Sequence, residues 1–204
     1  MILLNAFKLT IFILIIPSLI SIYATVNYHL FPSDIEWIKA FGALPPQNEL
    51  IALELWRCLT APLLHFHFTH LVGNALLLLV ANLVYLQRKG LSAQYYTWQE
   101  CTFMSTRLYG CGALIAILRT LGGSETWSMG LSGVGLAFLS FELVQAGLSH
   151  KYLTFYQRAF LVCAAWLFLC LGQNENVDQI SHFVGLSLGS LGGLINYSRE
   201  RTPS

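Results

Sequence analysis

The sequence predicts an all-α membrane domain: a bundle of six transmembrane helices occupying residues 1–204 as one unit. Two observations lead there. Only 10% of the 204 residues are charged and 55% are hydrophobic, giving a mean hydropathy of +0.60. Soluble domains carry about 25% charged residues, so this chain has too few charges to cover a water-exposed surface. The second observation is that six stretches are long and apolar enough to cross the hydrocarbon, which takes about 20 residues as a helix. They lie near 7–26, 68–87, 100–120, 131–149, 152–171 and 180–197. The formal net charge of +1 gives no basic footprint for a nucleic-acid partner, so the lipid bilayer is the expected surrounding.

The first span follows Lys8 as "LTIFILIIPSLISIYATV". A signal peptide can look similar, but this apolar run is nearer a full span and "SIYA" is a weak cleavage site, so it is read as a retained helix. Residues 27–67 form the only sizeable loop and contain Trp37 and Trp56, which suit a membrane interface. Arg88 and Lys89 follow the second span, Lys151 separates the fourth and fifth, and Arg199 and Arg201 follow the sixth. With Lys8 these fall on one side if six helices alternate, leaving Lys39, Arg57 and Arg119 opposite. The bias places both termini in the cytoplasm and the 27–67 loop outside. The five cysteines, Cys58, Cys101, Cys111, Cys163 and Cys170, contain no CxxC, and most sit in apolar runs as small hydrophobes. Neither a disulfide framework nor a metal cluster is expected of them.

Within the apolar runs stand costly polar groups: His70, Asn74, Arg107, Ser132, Glu142 and His182. Such residues face the bundle interior and are functional candidates; each alone is more often an interhelical hydrogen-bonding residue, and the argument rests on their combination. In "MGLSGVGLAF", Ser132 opens the fourth span between Gly130 and Gly133, which allow tight turns and close approach. In "HFVGLSLGSLGG", His182 opens the sixth span. Gly185, Gly189 and Gly193 follow at every fourth position, a flat stripe on which another helix can lie close. His182 shares that face. If the fourth span is the neighbour, Ser132 and His182 meet as nucleophile and base of an acyl transfer. In "HFHFTHLVGN", His70 and Asn74 are four apart, on one face of the second span. Both can donate to a developing oxyanion, and all three sites lie at outer helix ends, in one layer.

A metal reading of His65, His67 and His70 competes with this one. No HExxH is present, no carboxylate lies nearby, and His65 and His70 are five apart, a poor fit to one helix face. No metal is therefore expected, and His67 is read as an interfacial residue. On the inner half, Glu142 lies ten residues past Ser132. Arg107 or Arg158 could pair with it, or all three could snorkel separately to the inner interface.

Taken together, "WRCLTAPLLHFHFTHLVGN", "GLSG" and "HFVGLSLG" on the second, fourth and sixth spans resemble the rhomboid intramembrane serine proteases. The resemblance runs from Trp56 to Gly189 and implies a serine endopeptidase working by a Ser132–His182 dyad, with no cofactor. It implies an oxyanion hole of His70, Asn74 and the Ser132 backbone N–H. Trp56 and Arg57 match the family's outer-loop WR pair, a structural element, and His65 matches a further loop histidine. Where rhomboids often carry an aromatic residue four positions after the nucleophile, this chain has Leu136. The short six-helix form looks bacterial, which implies the inner membrane, and is similar in size to the rhombosortases. Expected partners are membrane-protein substrates with a transmembrane segment. The alternative is a catalytically inactive relative acting as a binding or chaperone-like protein; such relatives usually lose the serine and histidine that this chain has. A small transporter fits less well, since there is no internal repeat.

Overall fold

The computed structural model describes residues 2–26, 39–49, 54–65, 68–89, 97–148 and 178–201. The expected fifth span, with Arg158, Cys163 and Cys170, lies outside them, as do Trp37, His67 and Lys151. The described helices are α1 (Ile2–Val26), α2 (Arg57–Thr60), α3 (Phe68–Lys89), α4 (Trp98–Leu121), α5 (Ser132–Leu148) and α6 (Gln179–Arg201), with 3₁₀ turns at Gln47–Glu49 and Ala61–Leu63. By length and composition, His70–Arg88 and Gln99–Leu121 suffice to cross a bilayer. The apolar stretches Asn5–Ile20 and Ser132–Leu148 are shorter.

α5 is the central helix. It packs most extensively on α6 and also lies against α3 and α4, and residues 132–140 are all buried. A helix apolar on every side belongs inside a bundle. At 1.5 Å per residue it is about 25 Å long, less than the roughly 30 Å of hydrocarbon. The glycine stripe of α6 makes the close contact with it. A Cβ on Gly185 would collide with the Gly133 carbonyl, and one on Gly189 with the Ala137 carbonyl and Ser140 Oγ. Polar side chains then bridge the seam. Ser140 Oγ donates to the Leu186 carbonyl at 3.1 Å, Gln145 Nε2 to the Gly193 carbonyl, and Tyr197 Oη to the Leu148 carbonyl at 3.0 Å.

α1 packs on α3, where Asn82 Nδ2 donates to Thr10 Oγ1 at 2.9 Å. Pro17 lies inside α1. Having no N–H, it leaves the Ile13 carbonyl without its intrahelical donor, and hydrocarbon supplies no replacement. Tyr109 of α4 supplies one: its hydroxyl donates to the Ile13 carbonyl at 2.6 Å. α4 itself begins with a capping box, Thr97 Oγ1 accepting from the Glu100 N–H while Glu100 returns a bond to the Thr97 N–H. That motif satisfies two of the donors a helix start leaves open.

Of the two arginines the sequence offered as partners for Glu142, Arg158 lies outside the described residues and Arg107 is turned away from it. Arg88, in the last turn of α3, forks onto Glu142, with Nε to Oε2 at 2.6 Å and Nη2 to Oε1 at 3.1 Å. Arg107 is exposed on α4 and stacks on Phe103, 4.0 Å from the ring centroid. The reason is helix rotation: α3 packs along α5 and brings its C-terminal arginine to Glu142, while α4 turns Arg107 outward.

The segments before and between these helices form a tied cap at one end. Arg57 Nη1 donates to the carbonyls of Lys39 at 2.6 Å and Ala43 at 3.2 Å, and its Nη2 pairs with Glu54 at 2.8 Å. Thr60 Oγ1 donates to the Gly42 carbonyl at 2.8 Å. Trp56 packs against Gly42 so closely that a Cβ there would strike its ring. Trp56 and Arg57 thus hold the 39–44 turn. That turn in turn holds the α4–α5 connection through an antiparallel bridge of Leu44 with Ser128.

Candidate active site

The α4–α5 connection ends at Gly130, whose φ of 103° favours glycine. Its N–H donates to the Ala61 carbonyl at 2.9 Å, fixing the approach to α5. The Gly135 N–H bonds the Leu131 carbonyl at 2.8 Å, so Ser132 is in the first turn of α5. The N–H groups of a first turn have no intrahelical acceptor and form the positive end of the helix dipole.

Ser132 Oγ lies 2.7 Å from His182 Nε2 across the α5–α6 seam, and both residues are buried. The contact follows from the glycines. Gly185 is one turn after His182, on the same face, and sits on the Gly133 backbone. Backbone-to-backbone contact there brings the imidazole to the residue just before Gly133. Among the described residues, His182 Nδ1 has no hydrogen-bond partner. Leu136 is fully buried within the apolar core.

α3 contributes the third side. His70 and Asn74 both point at Gly130: a Cβ built there would lie 2.7 Å from His70 Cε1, 3.0 Å from His70 Nε2 and 3.2 Å from Asn74 Nδ2. Asn74 is wholly buried, yet neither atom of its amide has a partner among the described residues. An unpaired buried amide is costly, and here it stands beside the free N–H groups of the first turn of α5. His65 is also buried, its ring edge-on to His70 at 5.2 Å between centroids. Burial, and then the neighbouring His70, push its pKa from 6.5 down to about 3, so it is neutral at physiological pH.

The arrangement therefore joins Ser132, His182, His70, Asn74, Gly130 and Gly133 at one end of the bundle. Trp56, Arg57 and Gly189 stand outside it, in the loop cap and farther down the seam. Chemically, a serine hydroxyl within hydrogen-bond distance of an imidazole, beside unpaired donors, is equipped for acyl transfer. Sequence reasoning missed Arg119 and Asp178. Arg119 is fully buried and its Nε meets Asp178 Oδ2 at 2.9 Å. The only signal was an arginine at a span end and an acid four residues before His182.

No curated protein matches the chain. A family model described as the Rhomboid domain matches residues 52–199, from just before Trp56 almost to the end of α6. That match covers most of the chain and all the residues gathered at this end of the bundle: this integral membrane protein belongs to the rhomboid family.

Proposed function

We propose that this protein is an intramembrane serine endopeptidase that cleaves membrane-protein substrates in or near their transmembrane segments. The observation that carries the reading is the 2.7 Å contact of Ser132 Oγ with His182 Nε2 beside the unpartnered Asn74 amide. Neutral His182 accepts the Ser132 proton at Nε2 as Oγ attacks the scissile carbonyl. The Ser132 backbone N–H, His70 and Asn74 donate to the oxyanion. On collapse, His182 returns the proton to the departing amine. Water then attacks the acyl-enzyme, with His182 acting again as base. No metal or cofactor takes part.

On this reading Ser132, at the start of a short α5, sits just below the outer surface, within reach of a substrate helix end and of water. A fully hydrogen-bonded helix protects its carbonyls, so substrates need a locally unstable segment. The bias of basic residues supports cytoplasmic termini, with the site facing outward, in a bacterial inner membrane. The similarity in size to rhombosortases makes substrates with a C-terminal glycine-glycine membrane tail the first class to try. A fluorophosphonate probe tests the reading. It labels wild type and fails to label Ser132→Ala or His182→Ala. Equal labelling of wild type and Ser132→Ala contradicts the assigned nucleophile, and labelling of neither leaves a non-catalytic binding role.

A further inference from the structure

Arg119 is the largest fully buried side chain among the described residues. Removing a guanidinium from water is expensive unless its donors are satisfied. Here three acceptors satisfy it: the Pro45 carbonyl at 2.7 Å from Nη1, the Thr126 carbonyl and the Asp178 carboxylate. The acceptors belong to three separate segments, and two of these lead directly into the site. Thr126 lies six residues before Ser132, and Asp178 four residues before His182.

Asp178 is more than an ion-pair partner. Its Oδ1 accepts from the Ser181 N–H at 3.1 Å and its Oδ2 from Ser181 Oγ at 2.6 Å. Its carbonyl accepts from the His182 N–H at 3.3 Å. It therefore caps α6 and fixes the turn that carries His182. The two segments also touch directly, with Ser128 Oγ 3.4 Å from Ser181 Oγ. One guanidinium thus ties the strand-like approach to Ser132 and the helix start of His182 to the same outer loop.

We infer that Arg119 and Asp178 are positioning residues: a buried clamp that sets the Ser132–His182 register from outside the dyad. The inference rests on the dyad reading above. Near-attack geometry is steep enough that a displacement of about 1 Å costs around a hundredfold in rate, so loosening the clamp acts on turnover rather than on substrate binding.

The test uses the full chain in micelles, with Asp178→Ser, Asp178→Asn, Arg119→Met and the double variant Arg119→Met/Asp178→Ser. Serine keeps a capping oxygen but loses the ion pair. The rate of fluorophosphonate labelling, kcat and KM on a membrane-embedded substrate, Tm, and amide hydrogen exchange over 124–132 and 178–185 are measured. The expected result for Asp178→Ser is labelling and kcat at least tenfold slower, KM within twofold, and faster exchange in both segments together. Asp178→Asn, with the same shape and an acceptor oxygen, recovers part of the rate. The double variant is no slower than the slower single one, because the two residues act as one unit. Wild-type labelling and exchange in both Asp178 variants overturn the inference, as does a lowered Tm with wild-type kcat in the folded fraction. If wild type labels no better than Ser132→Ala, the dyad reading falls by itself. Exchange then decides the clamp, a joint rise in the two segments supporting it and no change overturning it. Should Arg119→Met fail to fold, the Asp178 variants carry the same decision.

Discussion

At the residue scale, the site keeps side chains that a stability-driven core would discard. Asn74 buries an amide whose two polar atoms have no partner among the described residues. A buried group of this kind costs about 1–3 kcal/mol. Asn74→Leu, branched at the same carbon and free of polar atoms, is therefore expected to hold or raise Tm. The same change lowers kcat about 10²-fold, the usual loss for one oxyanion donor, with a smaller change in KM. A mutant that mainly weakens substrate binding would instead make Asn74 a substrate contact. His65 gives a pH prediction. Its pKa falls from 6.5 to about 3 on folding, so below pH 6.5 the unfolded chain binds a proton that the folded chain refuses. Its share of stability is whole above pH 6.5 and is lost progressively as pH falls toward 3, at up to about 1.4 kcal/mol per pH unit. Melting of wild type and His65→Gln in micelles between pH 7 and 4 checks this. The wild-type slope is the steeper, and parallel slopes would contradict the buried neutral imidazole.

At the element scale, α5 and α6 touch backbone to backbone because glycine removes the Cβ atoms that would separate them. A methyl group at Gly189 already collides with the Ala137 carbonyl and Ser140 Oγ. Gly189→Ala is expected to push the helices apart, lowering Tm and kcat together, since Ser132 and His182 belong to opposite sides of that seam. A stable, fully active Gly189→Ala would mean that the helices can slide to a new register without cost to the site. The bond from Tyr109 to the carbonyl opposite Pro17 is a second device between elements. Tyr109→Phe removes the donor and leaves the Ile13 carbonyl unpaired in hydrocarbon, at a cost of about 1–3 kcal/mol. Changing Pro17 to alanine in the same chain restores the intrahelical donor and recovers much of the loss. Differential melting of the single and double variants measures both effects.

At the scale of the whole molecule, the proposed dyad and the Arg88–Glu142 pair occupy different depths of the bundle. Ser132 opens α5 and Glu142 lies ten residues on, about 15 Å farther along the axis, where Arg88 holds it. Breaking one partner of a buried ion pair typically costs about 3–5 kcal/mol. Glu142→Gln and Arg88→Gln should each lower Tm substantially, and the double variant should lose less than the sum. The catalytic rate of the folded fraction should stay near wild type. A large fall in that rate at unchanged Tm would put Glu142 in a catalytic or water-conducting network instead.

The sequence by itself determined the membrane class, the rough positions of the long described helices but not the short α2 inside the 27–67 loop, and which side chains were chemically out of place in lipid. Those signals are local. Apolar run length is read within one segment, and the helical period puts His70 with Asn74, and His182 with Gly185, on single faces without reference to any other helix. Tertiary structure decided the partners. Arg88 rather than Arg107 meets Glu142 because helix rotation about the bundle axis, which no local pattern encodes, turns one arginine inward and the other out. Arg119 looked like one of a few loop-side charges, yet it is buried among Pro45, Thr126 and Asp178, residues from three segments far apart in the chain. Helix faces follow from neighbours three and four residues away, whereas the pairing of buried charges follows from how depth and rotation of separate helices bring distant residues to one point.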